Sequence, residues 1–243
     1  MTAPAREEIA VLAAALEGKG PEEILSAAVA RFHGRIALAS SFGAEDCVLV
    51  DVAARAQLAL DVFTLDTGYL FPETYVLWRK LEERYGISIR GVKASQPAPD
   101  PRGSAPWETD PDACCEARKV APLRATLSRL EAWATGIRRD QTPARANARV
   151  FEWDGRFGLA KVNPLAAWTN GDVHEYVRRF DVPTNPLHAK GYGSIGCAPC
   201  TSPVRPGEDP RAGRWRGRVK TECGLHAHTQ PAWTSVPPGP SDP

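Results

Sequence analysis

The sequence is defined first by what it lacks. No stretch approaches the roughly 18 uncharged apolar residues that a membrane-spanning helix needs. Charge of one sign is missing too. Thirty Lys and Arg stand against 29 Asp and Glu, a net +1, so no global basic field exists to hold nucleic acid. The N-terminus has Glu7 and Glu8 ahead of a short apolar run instead of a basic start with a small-residue cleavage site; it reads as a helix and not as a secretory signal. Six cysteines in 243 residues are too few for a disulfide scaffold, and no internal repeat is found. What remains, 43% hydrophobic and 24% charged, is an ordinary globular composition. A cytoplasmic protein without nucleic-acid or membrane partners is expected. The length suits one α/β domain with additions.

The hydrophobic pattern alternates between two kinds of segment. "RIALAS" (35–40), "DVFTLD" (61–66), "ISIRGV" (87–92), "EAWATG" (131–136) and "LAKVNP" (159–164) are short apolar runs, the signature of strands buried on both faces. Between them lie helical segments: "PEEILSAAVARF", "CVLVDVAARA", "PETYVLWRKLEERYG", opened by Pro72 and closed by Gly86, and "TNGDVHEYVRRF", capped by Thr169 or Asn170. "CCEARKVAPLRATLSRL" is helical as well, and Pro122 is expected to bend or restart it. Strands alternating with helices predict an α/β fold with a doubly wound, mostly parallel sheet. Two segments escape the pattern. The Pro-rich stretch 93–113 reads as a mobile loop, and from Pro203 onward no hydrophobic period exists. The expected organisation is therefore a domain over 1–202, a mobile arm over 203–228 and a disordered tail over 229–243.

Ligands of open parallel sheets bind beyond the carboxyl ends of the strands. "SSFGAED" (40–46) follows the first strand and opens a helix; its hydroxyls, backbone N–H groups and Gly43 suit an anion, or equally an N-cap and turn. Leu65, Asp66, Thr67 and Gly68 end the second strand, where polar groups grip a sugar or base edge, or simply make a turn. Gly136, Arg138 and Arg145 follow the fourth strand; Arg is the residue for bidentate anion recognition, the alternative being a solvated surface run.

The cysteines are unevenly spread: Cys47 and Cys223 alone, Cys114 beside Cys115, and Cys197 with Cys200 in a CxxC. Zinc sites usually take two CxxC or CxxH hooks. Adjacent cysteines on a helix point about 100° apart, which is awkward for one small ion but within reach of a larger cluster. Cys114, Cys115, Cys197 and Cys200 are expected to hold a [4Fe–4S] cluster, with zinc or buried unligated thiols as alternatives. Lys119 sets positive charge near the pair. Cys47, on an apolar helix, reads as a buried thiol.

Taken together, "SSFGAED", "LDTGYLFPETY", "CCEARKVAPL", "TGIRRDQTPARA", "NPLHAKGYGSIGCAPCT", "RAGRW" and "KTECGLH" resemble the assimilatory adenylyl-sulfate (APS) reductases, the iron–sulfur branch of the phosphoadenylyl-sulfate (PAPS) reductase family, over about residues 35–226. The resemblance implies an adenine-nucleotide α-hydrolase-like fold related to ATP pyrophosphatases. It implies reduction of APS to sulfite and AMP with electrons from thioredoxin. Cys223 would be the catalytic nucleophile, taking a sulfonate and becoming an S-sulfocysteine. Ser40, Ser41, Phe42, Gly43, Asp46, Leu65, Asp66, Thr67, Gly68 and Gly136 would bind substrate. So would the cations Lys119, Arg138, Arg145, Arg211 and Arg214, together with His226. Such cations are needed, because a thiolate meeting a phosphosulfate is repelled by about 4 kcal/mol per unit-charge pair at 4 Å. Lys220 and His226 would also favour the Cys223 thiolate.

One departure stands out: where the family often has an aromatic run after "GRW", this chain reads "GRWRGRVKTECGLH", a more basic arm. PAPS is the alternative substrate, although members using it generally lack the four cluster cysteines. An ATP pyrophosphatase would favour an SGGxDS loop over "SSFGAED", and a zinc-knit interaction module is the reading without catalysis. A homo-oligomer is left open by the sequence.

Overall fold

In the computed structural model, which describes residues 6–93, 105–220 and 222–225, the five apolar runs are strands β1 (Ile36–Ala39), β2 (Asp61–Asp66), β3 (Ile89–Lys93), β4 (Ala132–Ala134) and β6 (Leu159–Val162). They lie parallel in one six-stranded sheet of order β3-β2-β1-β4-β6-β5. The α/β class and the doubly wound, mostly parallel sheet are as expected. β5 (Phe151–Asp154) was not anticipated. It pairs antiparallel with β6 at the sheet edge, through a tight turn in which Gly158 donates its N–H to the Asp154 carbonyl (2.7 Å).

Successive strand residues face opposite sides of the sheet. Ile36, Leu38, Val62 and Val162 enter a large core with α1 (Arg6–Leu16), α2 (Pro21–Arg31), α3 (Ala44–Arg55) and α4 (Pro72–Tyr85). On the other face Ala37, Phe63, Trp133 and Leu159 form a smaller core with Leu123 and Leu127. Those two leucines lie on the last of three helical pieces: α5 (Pro106–Thr109), α6 (Pro111–Cys115) and α7 (Ala121–Leu127). α8 (Asn170–Phe180), capped by Thr169, which accepts the N–H of Asp172, joins the large core through Val173. Asp51 of α3 is buried there and accepts hydrogen bonds from the hydroxyls of Tyr85 (2.9 Å) and Tyr176 (2.7 Å), linking α3 to α4 and α8. Cys47 is fully buried in the same core, and burial pushes its thiol up.

The long helix expected over 114–130 is broken. Between α6 and α7 the segment Glu116–Val120 forms a π turn, closed by the Ala121 N–H donating to the Glu116 carbonyl. Pro122 has no N–H and its ring crowds the carbonyl four residues back; the wider turn upstream absorbs both effects, and the α-helix restarts at Ala121. The end of the Pro-rich stretch is helical as well, since α5 and α6 each begin on a proline, where the missing N–H costs nothing. The rest of that stretch, 94–104, lies outside the described residues. So does the tail over 229–243. The strand order reverses between β1 and β4, and this switch point opens a crevice at their carboxyl ends.

Candidate active site

At the switch point, the turn after β1 is tied to the helix it opens. Asp46 is buried, and its Oδ2 accepts the backbone N–H (2.6 Å) and hydroxyl (2.7 Å) of Ser41. Burial pushes the Asp46 carboxyl up to about 6, against the pull of those hydrogen bonds. Ser40 Oγ accepts the Phe42 N–H (3.2 Å), and Phe42 takes a left-handed φ of 61° and stacks on Trp78. Ser40 and Ser41 therefore act as turn chemistry, and Gly43 is an N-cap without a side chain to close it. Gly136, after β4, faces this turn. A Cβ there would lie 2.4 Å from Asp46 Oδ1 and 2.8 Å from the Glu45 Cβ, so only glycine lets the two strand ends approach.

Beyond Gly136 a chain of polar contacts runs outward. Arg138 is buried between Glu45 (3.1 Å) and Asp140, so its charge is matched within the protein. Gln141 donates to Glu45 (2.9 Å) and its Oε1 accepts from Arg145. Arg145, almost fully buried, reaches the Oε1 of Glu222 (3.6 Å), and Arg211 reaches Oε2 of the same carboxylate (2.9 Å). Burial pulls Arg145 down from its ordinary value, against the carboxylate of Glu222. Glu222 immediately precedes Cys223. Leu225, two residues beyond it, packs on the smaller core. Cys223 lines a pocket with Arg156 and Lys220, and Lys220 is paired with Asp112.

The turn after β2 leads to the cysteines. One oxygen of Asp66 accepts the Gly68 N–H (3.0 Å) and the Tyr75 hydroxyl (2.7 Å), while Leu65 packs on the smaller core. Thr67 Oγ1 lies 3.3 Å from Cys197 Sγ, and its carbonyl accepts from Arg118 (2.8 Å). The Tyr69 carbonyl accepts the Ala198 N–H (2.7 Å). Cys114, Cys115, Cys197 and Cys200 all line one pocket with Tyr69, Trp107, Arg118, Lys119, Arg214 and Trp215. The arm folds back to close it: Thr201 bridges Arg214, and the Trp215 N–H donates to the Cys200 carbonyl (2.9 Å). A Cβ on Gly196 would lie 2.3 Å from the Arg214 guanidinium, so glycine there leaves that guanidinium room beside the CxxC.

Burial pushes Cys115 up to about 11 and raises Cys114 and Cys200. Lys119 responds oppositely: burial lowers it, but the charges of Cys197 and Cys223 outweigh that and leave it raised. Lys119 lines the pocket of the four cysteines, and the Cys223 sulfur also raises it. Three buried N–H donors, Arg118 Nε, Arg214 Nε and Trp215 Nε1, have no partner. Among the described residues no three His, Cys, Asp or Glu side chains are grouped so as to hold a single metal ion.

Residues 35–203 match the phosphoadenosine phosphosulfate reductase domain. The chain belongs to that family. An adenosine 5'-phosphosulfate reductase of Rhodococcus opacus is 42% identical over 91% of this chain and 94% of its own length. A phosphoadenosine 5'-phosphosulfate reductase of Gloeobacter violaceus is 43% identical over 89% and 92%. Among solved structures, the PAPS reductase of Candida auris in its phosphate complex is 28% identical, covering 84% of this chain and 99% of that one with a TM-score of 0.72.

Of the residues expected from sequence, one group is linked from the switch point outward: Ser40, Ser41, Phe42, Gly43, Asp46, Gly136, Arg138, Arg145 and Arg211, joined through Glu45, Gln141 and Glu222, the residue before Cys223. A second group, Thr67, Gly68, Lys119 and Arg214, lies against the four cysteines instead. His226 lies outside the described residues. Glu222, Gln141 and Glu45 fall outside the expected set, because an anionic ligand calls for cations and these are acceptors that hold those cations. Arg118 and Arg156 were also missed. For Glu222 the signal was present, a lone carboxylate within the basic arm "RGRVKTEC". No helix among the described residues is long and apolar enough to cross a membrane.

Proposed function

We propose that this chain reduces adenylyl sulfate to sulfite and AMP, with thioredoxin as electron donor, in the assimilation of sulfate toward cysteine. One observation carries the reading: Glu222, the residue before Cys223, is paired with both Arg145 and Arg211, while four thiols share a single pocket with Lys119 and Arg214. The names of the bacterial relatives support APS as the substrate.

In this reading Arg145 and Arg211 take the phosphosulfate anion, and Lys119 lowers the repulsion that the incoming thiolate meets. The Cys223 thiolate attacks the sulfate sulfur. An S–S bond forms, the sulfur–oxygen bond to phosphate breaks, and AMP leaves with that electron pair. One thiolate of reduced thioredoxin then attacks the Cys223 sulfur and releases sulfite; its second thiolate resolves the mixed disulfide, so thioredoxin ends oxidised and Cys223 returns as a thiolate.

Cys114, Cys115, Cys197 and Cys200 would hold the [4Fe–4S] cluster. They fit it: four thiols share one pocket, unpartnered N–H donors from Arg118, Arg214 and Trp215 suit sulfur acceptors, and Arg118 and Lys119 bring positive charge. When bound, such a cluster supplies a fixed charge that shapes the field around Lys119 and Cys223. Iron and acid-labile sulfide on anaerobically purified protein are expected; zinc without iron would support an interaction module instead.

The deciding measurement is mass spectrometry after mixing the protein with APS and no reductant. A gain of SO₃ on the Cys223 peptide is expected, and its absence overturns the reading. Cys223→Ser is expected to keep nucleotide binding and iron yet lose sulfite production altogether. Turnover of APS and PAPS side by side, with preference for APS, separates this reading from the PAPS activity named for the Gloeobacter relative.

A further inference from the structure

The carboxylate of Glu222 spans two guanidinium groups brought from distant parts of the chain, 3.6 Å from Arg145 and 2.9 Å from Arg211. A carboxylate held this way presents the same charge and the same acceptor fork as a phosphate or sulfate oxygen pair. Arg145 is desolvated and lies in the field of Arg211, so the pair calls for an anion whether or not substrate is present. Glu222 is about one-third exposed, which leaves it open to displacement. On the other side of Cys223, Leu225 packs on the smaller core, and Gly224 sits against Val120 and Arg156. The thiol is thus held between a polar anchor and an apolar one.

We propose that Glu222 is a positioning residue that occupies the anion site in the nucleotide-free protein, docking the Cys223 arm there, and that the substrate's phosphosulfate displaces it. The proposal rests on the functional reading above for the assignment of Arg145 and Arg211 to substrate. Exchange follows from charge. A phosphosulfate brings more negative charge to the pair than one carboxylate does, and its nucleoside adds contacts that Glu222 lacks. Only a ligand carrying an anion gains from the removal of Glu222.

The test uses full-length protein with its metal content intact, in a Cys223→Ser background so that nothing turns over. APS and neutral adenosine are titrated calorimetrically into this parent and into the same protein carrying Glu222→Gln. The expected result is APS affinity about five- to tenfold tighter with Glu222→Gln, the scale of one partly buried charge contact, with adenosine unchanged. Trypsin is expected to cut the arm at Arg216, Arg218 or Lys220 faster in nucleotide-free Glu222→Gln than in the parent. Equal or weaker APS affinity overturns the exchange, as does equal tightening for adenosine. Should the parent bind no APS, the functional reading fails instead. The trypsin comparison then still decides the tether: faster cutting supports it and equal cutting overturns it.

Discussion

Asp46 carries a carboxylate into the interior and holds it there with the N–H and hydroxyl of Ser41 and the backbone of Gly136. Its carboxyl is raised to about 6 from an ordinary 3.8. The folded protein therefore binds a proton between pH 4 and 6 that the unfolded chain has released. A raised carboxyl contributes stability that is complete below the lower of these values and disappears as pH rises through the upper one. Relative to Asp46→Asn, the wild type is expected to lose up to about 3 kcal/mol of unfolding free energy from pH 4 to pH 7. Denaturant titrations of both proteins across that range check it, and a flat difference counts against the assignment. Asp46 itself was legible in the sequence as a polar residue at a strand end. Its burial was not, because that depends on Gly136 arriving from a strand nearly a hundred residues later.

Among the elements, the π turn Glu116–Val120 has the most direct bearing on chemistry. It places Arg118 and Lys119 toward the cysteine pocket while α6 presents Cys114 and Cys115 to the same space. Lys119→Ala is expected to leave iron content near normal and to slow single-turnover sulfonation of Cys223 by about tenfold or more. Rapid-quench mass spectrometry reads the rate, and an unchanged value removes Lys119 from the mechanism. The sequence showed a break near Pro122 but not its form, since "CCEARKVAPL" is helical in composition throughout. The inner strands were legible because burial leaves short apolar runs, as in Ile36–Ala39 and Ala132–Ala134; β3, at the sheet edge and half polar, was legible from its place between helical segments. β5 was not. "FEWD" is an edge strand with mixed polarity, and its signal lay in the turn "DGRFG" between two candidate strands, overshadowed by the arginines before it.

At the scale of the molecule, the four thiols join segments far apart in the chain, α6 on one side and the Cys197–Cys200 stretch on the other, with the arm laid across them. A group bound by all four would close a long loop, and its binding energy would be folding energy. Removing iron with an oxidant and chelator is expected to lower Tm by several degrees and to open residues 105–120 and 197–215 to protease. An unchanged Tm and cleavage pattern would mean that the segments hold together without it. The mostly parallel sheet followed from the alternation of strands and helices in the sequence; the strand order and the switch point it creates came from the structure. The counter-ions at that crevice did not follow from sequence, because a pairing such as Arg145 with Glu222 exists only after segments far apart in the chain have been brought together.

The proposed docking of Glu222 on that pair would also bear on which solutes enter. A carboxylate on a short tether acts as a competitor at an effective concentration on the order of millimolar. Inorganic phosphate and sulfate, which offer the arginines a charge and nothing else, must contend with it at every encounter. A nucleotide that also grips the crevice with its base and sugar has the additional affinity to win. On the proposed exchange, the molecule carries its own blank for the assay of charge, and an anion that comes with a nucleoside attached is the one expected to displace it.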